Sequence, residues 1–338
     1  MVTTAQQRSS LDRLDRLRRS RAHGSAIQQE AIAELKRVVG FERWCLPLAD
    51  PDSLLPVAAS AEHDYLPALP RLLELEYSVD RYAAKPAVAR SETPACSLRI
   101  ETDGDLARSE RWDQVMRPVG IGDVAAVACR DSYSCWGWLE AYRDRDDRPF
   151  SESELQLLAK VGDILGPLLG RKGTYASAGF VDSRSPGVLI FDRSLRVVSW
   201  SPGSGAWLDT LPPASLFARY GILPAVLFPT AVLARAGKAR ARVLAEDGRW
   251  VVVEAARMHG AADGHIVVTL RSLAPAEIFD LLSRVHGLTQ REREVVRLLR
   301  SGWTRTASAS ACSYRRSPSR ITSSECSTSS ACAAGASW

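Results

Sequence analysis

Apolar residues recur at helical spacing in four stretches of this chain. Ser25-Ala26-Ile27-Gln28 has the spacing of a capping box, and Ile27, Ile32, Leu35 and Val39 follow as a stripe that ends at Gly40. Ser151 to Glu154 repeats the box ahead of Leu155, Leu158, Val161, Ile164, Leu165 and Leu168. That spacing predicts a long helix closed by Gly170, with Pro167 kinking its last turn. Pro275 to Val285 carries Ile278, Leu281, Leu282 and Val285 on one face. Thr289, with Glu292 three residues later, caps a fourth helix from Gln290 to Ser301, with Val295, Leu298 and Leu299 as its stripe and Gly302 as its C′ residue. Leu11, Leu14 and Leu17 lie among arginines in residues 10–22, a short helix or a flexible arm.

Strand patterns fill the intervals. Phe41–Leu48 and Leu54–Ala59 flank a Pro/Asp turn; Val124–Cys129 and Trp136–Tyr142 are joined by R-D-S-Y-S. Residues 60–115 read as helix and loop. Gly187–Asp192 and Leu195–Trp200 form a hairpin turning at Arg193-Ser194, and Ser204–Leu208 is a short helix. Ala241–Leu244, Trp250–Ala256 and His265–Leu270 are strands separated by E-D-G-R and H-G-A-A-D-G turns. The pattern is that of an α+β multidomain chain.

Composition adds limits. At 338 residues the chain can hold two or three cores, and no apolar run is long enough for a membrane helix. The N-terminus M-V-T-T-A-Q-Q-R has no apolar signal core, so a cytoplasmic location without membrane partners is expected. The net charge of +5 is concentrated at the ends: residues 1–25 carry +4 and residues 303–338 carry +3, leaving −2 for 26–302. The body therefore offers no basic face of its own for nucleic acid. Of seven cysteines, Cys312, Cys326 and Cys332 fall in the last segment; Cys45, Cys96, Cys129 and Cys135 form no CxxC, and idle buried thiols are expected rather than a disulfide framework or zinc site.

Leu288, Thr289, Arg291, Glu292, Glu294, Val295, Leu298 and Gly302 spell L-T-x-R-E-x-E-V-x-x-L-x-x-x-G, which resembles the first helix of the LuxR-type (GerE-type) helix-turn-helix. The resemblance implies a DNA-binding transcriptional regulator, with this helix as scaffold and base reading assigned to a later helix in the major groove. It also implies a homodimer. The run R-P-F-S-x-x-E-L-x-L-L and the strands before it, through Trp136, Gly137, Leu139, Arg148, Pro149, Phe150, Ser151, Glu154, Leu157 and Leu158, resemble a GAF domain. G-V-L-I-F-D-R-S-L-R-V-V-S-W resembles the first hairpin of a PAS domain. The expected organisation is a basic N-terminal arm (1–23), a GAF-like sensor domain (24–170), a linker (171–186), a PAS-like domain (187–272), a connecting helix (273–287), the first helix of the helix-turn-helix (288–302) and a disordered, low-complexity tail (303–338).

That tail breaks the helix-turn-helix. It holds 11 Ser, 7 Ala, 4 Thr and 3 Cys, with Ile321 its only large aliphatic residue, too little apolar surface to fold further helices. Permitted codons for Arg320–Trp338, read one base earlier, spell Q-D-H-L-K-R-V-F-D-K-L-G-V-R-S-R-R-E-L, the end of the family's recognition helix and beyond. A one-base shift of the reading frame near Gly302 would account for the segment; the alternative is a natural low-complexity Ser/Ala tail.

Chemistry is sparse. There is no G-x-S-x-G, H-E-x-x-H or Walker loop, so no enzyme, metal site or cofactor is expected; Gly120-x-Gly122 reads as a turn. His63, His259 and His265 are scattered. Strand alternation places Trp136, Trp138 and Glu140 on one side of a sheet, either as core or as the wall of a small-molecule pocket in which Glu140 beside two indoles could take a cation. Two readings remain: a LuxR-type regulator whose GAF-like and PAS-like domains sense an effector, with specific DNA binding lost in this chain; or a sensor that acts without DNA by pairing with intact regulators.

Overall fold

The computed structural model describes residues 4–19, 24–62, 66–172, 184–215, 219, 221–285 and 288–300. They divide into two compact units, Met1–Leu273 and Ala274–Trp338. The first unit contains two antiparallel five-stranded sheets.

The first sheet is built from β1 (Arg43–Ala49), β2 (Pro56–Glu62), β3 (Ala95–Ser97), β4 (Ile121–Arg130) and β5 (Cys135–Asp144), in the order β2-β1-β5-β4-β3. Helices cover both faces. On one lie α1 (Thr4–Arg19), α2 (Gly24–Val39) and α6 (Glu152–Lys172); on the other, α3 (Leu69–Ser78), α4 (Lys85–Arg90) and α5 (Leu98–Glu101). Central strands covered twice should read as apolar runs rather than alternations, and β4 is buried at every residue but its last.

Small residues let α6 come close. Gly162, Gly166 and Gly170, four apart, form a smooth stripe against the sheet; a Cβ on Gly162 would stand 2.5 Å from the Ala128 carbonyl oxygen, and one on Gly170 would stand 2.9 Å from the Trp136 ring. Here the structure corrects the sequence reading: Gly170 does not close the helix, which continues to Lys172. The glycine serves packing. β3 was unforeseen, because a three-residue strand inside a helical stretch has no readable period. Residues 10–22 resolve as helix through Arg19.

The second sheet consists of β6 (Gly187–Phe191), β7 (Val197–Trp200), β8 (Lys238–Leu244), β9 (Trp250–Arg257) and β10 (Ile266–Ser272), ordered β7-β6-β10-β9-β8. Counting strands within each half, both sheets therefore run 2-1-5-4-3. The expected hairpin forms, with Leu195 in its turn at φ 58° rather than in β7. α7 (Ser204–Leu208) and α8 (Leu227–Ala234) pack over Phe191, Val253 and Val268. Leu55, Val57 and Leu73 of the first half belong to this same core. Arg242 of β8 donates to Asp50 through Nε (3.0 Å), Nη2 (2.5 Å) and its backbone N–H (3.1 Å), and this pair is almost fully buried.

In the second unit, α9 (Pro275–Val285) and α10 (Gln290–Arg300) follow the predicted bounds to within a residue. Thr289 and Glu292 form the reciprocal capping box: the Glu292 N–H donates to Thr289 Oγ1 at 3.2 Å, and the Thr289 N–H to Glu292 Oε2 at 2.7 Å. Gly302 and the tail 303–338 lie outside the described residues, as do most of the linker and His63.

If the glycine stripe sets the distance between α6 and the sheet, Gly162→Val overpacks it. The expected loss is about 2 kcal/mol of stability, in the range for forced insertion into a packed core, read as a lower urea midpoint with an unchanged slope. An unchanged midpoint would show that α6 is free to move away.

Candidate functional site

Between the first sheet and α3–α4 lies a cavity of about 300 Å³. Its floor is polar and buried: Cys45 from β1, Glu140 and Tyr142 from β5, and Lys85 from the first turn of α4. Leu69, Leu72 and Leu73 of α3 make one wall, and Ala58, Ala59 and Ala61 of edge strand β2 another. The roof comes from the second sheet's half, through Pro212, Pro213, Ser215 and Ile222–Ala225.

The floor belongs to a buried ion cluster. Lys85 Nζ donates to Glu76 Oε1 and Oε2 (2.9 and 2.8 Å) and to Glu140 Oε1 (2.8 Å). The Tyr142 hydroxyl donates to Glu140 Oε2 at 3.0 Å. Arg111 lies 3.2 Å from Glu76 and 3.6 Å from Asp80, and donates to the carbonyls of Tyr82 and Ala83. Ser109 donates to Asp80 at 2.5 Å. Burial pushes the Glu140 carboxyl up, but Lys85 and Arg111 outweigh it, so Glu140 stays below the ordinary carboxylate range. Burial likewise pushes the Lys85 ammonium down, and Glu140 and Glu76 hold it above its usual value. Both groups are charged at neutral pH.

The three residues singled out as a pocket wall separate. Cys129 pairs with Gly137 and Arg130 with Cys135, so Trp136 is the extra residue of a bulge, which breaks the strand alternation. Its indole turns to α6 and donates to Asp131 Oδ2 at 2.8 Å, whereas Trp138 lies on the cavity side, fully buried. Trp138 donates to the Lys85 carbonyl at 3.0 Å and supports the floor without lining it. Only Glu140 reaches the cavity, and its partner is an internal lysine rather than an indole pair. Lys85, Glu76, Asp80 and Arg111 were missed. They fall in the stretch read as helix and loop, and the one available signal was a lysine in a chain with 5 lysines and 39 arginines.

A second network lies on the other face. Glu154 accepts from the Ser151 N–H (2.9 Å) and hydroxyl (2.9 Å), and from Arg143 (2.9 Å) and Arg148 (2.6 Å). Arg143 also donates to the carbonyls of Val39 and Gly40 and covers the Phe150 ring at 4.1 Å. The R-P-F-S-x-x-E run thus ties together α2, β5 and α6. Its role is scaffolding.

Other candidates are weaker. An open groove of about 750 Å³ lies between α3 and the β6–β7 hairpin, but its charged residues Arg71, Glu74 and Arg196 are already paired. Cys45, Cys96, Cys129 and Cys135 are free thiols; burial pushes Cys96 up to about 12 and Cys135 up to about 11, which makes them poor nucleophiles. Among the described residues there is no group of three or more His, Cys, Asp or Glu placed to hold a metal ion, and no helix long and apolar enough to cross a membrane. In α10, Arg291 pairs with Glu294 at 2.7 Å, while Val295 and Leu298 are half-buried.

Residues 24–167 match the GAF domain family, a span that covers the first sheet, its helices from α2 to most of α6, and the cavity floor. A GAF domain fits the antiparallel α+β architecture found there and suggests a sensory role. No curated protein matches the chain.

Burial pushes the Glu154 carboxyl up, but Arg148, Arg143 and Ser151 hold it far below the ordinary range. A depressed carboxylate stabilises the fold above its unfolded value, about 4.3, and loses that contribution as pH falls toward the folded value. Glu154→Gln should therefore cost on the order of 3 kcal/mol at pH 7, because Arg143 stays buried without its charge partner. The gap to the parent should narrow progressively as pH falls below about 4, measured by urea unfolding across pH. A gap independent of pH would assign the effect to shape alone.

Proposed function

We propose that this chain is the sensing part of a one-component transcriptional regulator. A small molecule would enter the cavity on the Lys85–Glu140 floor, and the second sheet's half would report its presence. The observation that carries the reading is that the roof over a GAF domain's cavity is made by the other half of the chain. An occupant must touch both halves, so it binds better to one arrangement of them than to another, which is what a signal requires. α3 strengthens the link: Leu72 faces the first core, Leu73 the second, and Glu74 pairs with Arg235 next to α8 at 2.9 Å. The 2-1-5-4-3 order of the second sheet supports a PAS-like reading of residues 187–272.

The output is a LuxR-type helix-turn-helix beginning at Leu288. The capping box at Thr289 and Glu292 and the half-buried Val295 and Leu298 are consistent with the scaffold helix of that family. Its groove-reading helix is not spelled by residues 303–338. The chain is proposed as cytoplasmic, dimeric and not an enzyme. That same tail favours a second reading, in which the chain pairs with intact regulators and acts without touching DNA.

Two outcomes follow. In a gel shift on the promoter of its own gene, the chain as it stands should show no specific complex, and a frame-restored version should bind; specific binding by the present chain would refute the assignment of the tail. In the frame-restored protein, Ala58→Phe, which fills the cavity from β2, should change operator affinity about 5- to 150-fold, the usual range of site-to-site coupling. Unchanged affinity would mean that the cavity does not govern the DNA-binding end.

A further inference from the structure

The hydrogen-bonding capacity of the cavity floor restricts what can bind there. Lys85 has three N–H donors, and three carboxylate oxygens surround its nitrogen, two from Glu76 and one from Glu140. No donor of the lysine is left for an anion or a carbonyl. The Tyr142 proton is directed to Glu140. Cys45, the remaining floor group, has a weakly donating thiol that burial keeps protonated. Tyr77 has a buried hydroxyl with no partner among the described residues, but it does not line the cavity.

Acceptors, in contrast, remain open. A carboxylate offers about four lone-pair positions, and at Glu140 one donor from Lys85 and one from Tyr142 are accounted for. Charge points the same way. The buried cluster contains three carboxylates, Glu76, Asp80 and Glu140, against two cations, Lys85 and Arg111. By this count the cluster holds one more carboxylate than cation. The walls and roof, from Leu69, Leu72, Pro212, Leu223 and Pro224, are apolar.

We infer that the cavity takes a small primary or secondary amine with an apolar body, its ammonium group donating to Glu140 and its hydrocarbon part lying against the leucine and proline walls. This rests on the reading of the cavity as the sensing site and adds the ligand class. The ammonium supplies both donors and the missing positive charge. Carboxylates and phosphates of the same size are rejected, because they would meet Glu140 with no free donor to hold them.

The test uses the full chain and three compounds sharing one skeleton: phenethylamine, 2-phenylethanol and 3-phenylpropanoate. Binding is followed by calorimetry and by thermal unfolding. Phenethylamine should bind and raise the melting temperature, the alcohol should bind more weakly, and the carboxylate should not bind. Amine binding should fall at pH values above the amine's own pKa. Glu140→Gln should weaken amine binding about ten- to a hundredfold, the range for losing a charged hydrogen-bond partner. Should that variant fail to fold, Ala58→Phe, which leaves the ion cluster intact, should abolish amine binding. Carboxylate or alcohol binding equal to or tighter than that of the amine would overturn the inference. So would no response to any of the three compounds, or amine binding indifferent to Ala58→Phe. The operator-affinity test of Ala58→Phe needs no ligand, so the sensing role can survive while the ligand class fails, and the reverse.

Discussion

The first half of the molecule depends on keeping an ammonium group charged inside an apolar core. Lys85 is 3% exposed. Left alone there, it would lose its proton or prevent the chain from closing around it. Glu76 and Glu140 prevent this, and in doing so they fix three elements against one another: α3 through Glu76, α4 through Lys85 and β5 through Glu140. Burial of such a pair is a poor source of net stability. Its value here is positional, since it holds α3 and α4 apart from the sheet at a fixed height and leaves the cavity between them. Trp138 completes the arrangement from below by donating to the Lys85 carbonyl.

The second half is joined to this one by shared apolar surface and by ion pairs of different exposure. Asp50 and Arg242 are buried, and removing Arg242 would strand the charge of Asp50, whereas Arg242 also pairs with the more exposed Asp52. The Glu74–Arg235 pair is partly exposed and weaker for that reason. The strong pair sits at the turn between β1 and β2, far along the chain from the roof segment 212–225. The buried pin therefore lies away from the roof, and the roof over the cavity depends on contacts among prolines and leucines. A ligand has more leverage on such a roof than on the pinned edge.

Much of the fold could be read directly from the pattern. The capping boxes at Ser151 and Thr289, the hairpin at Arg193-Ser194 and the helices Ser204–Leu208 and Pro275–Val285 all depend on residues within a few positions of one another, and local rules are enough for them. The site was far less legible. Glu76, Asp80, Lys85, Arg111 and Glu140 are spread over 65 positions, and only the closed sheet brings them together. Glu140 was noticed because alternation gave it a direction, yet its neighbours were misassigned. One bulge at Trp136 rotated an indole to the opposite face, and a bulge leaves no mark in a pattern of period two. Gly170 misled for a related reason. A glycine at the end of an apolar stripe looks the same whether it ends a helix or lets one approach a sheet.

The two described cores draw on residues 45–270 alone. Both lie within the first unit, Met1–Leu273. On the reading proposed above, that placement bears on how a chain with an altered DNA-binding end would behave. A destabilised protein would be removed by proteolysis, and its altered end would have no consequence. On the same reading, a chain that folds its cavity, its roof and its joining ion pairs would still pair with an intact relative, while contributing no base-reading helix to the pair. A recognition complex that needs two half-site readers is then left with one, which lowers its affinity through lost multivalency rather than through any change in the remaining contacts.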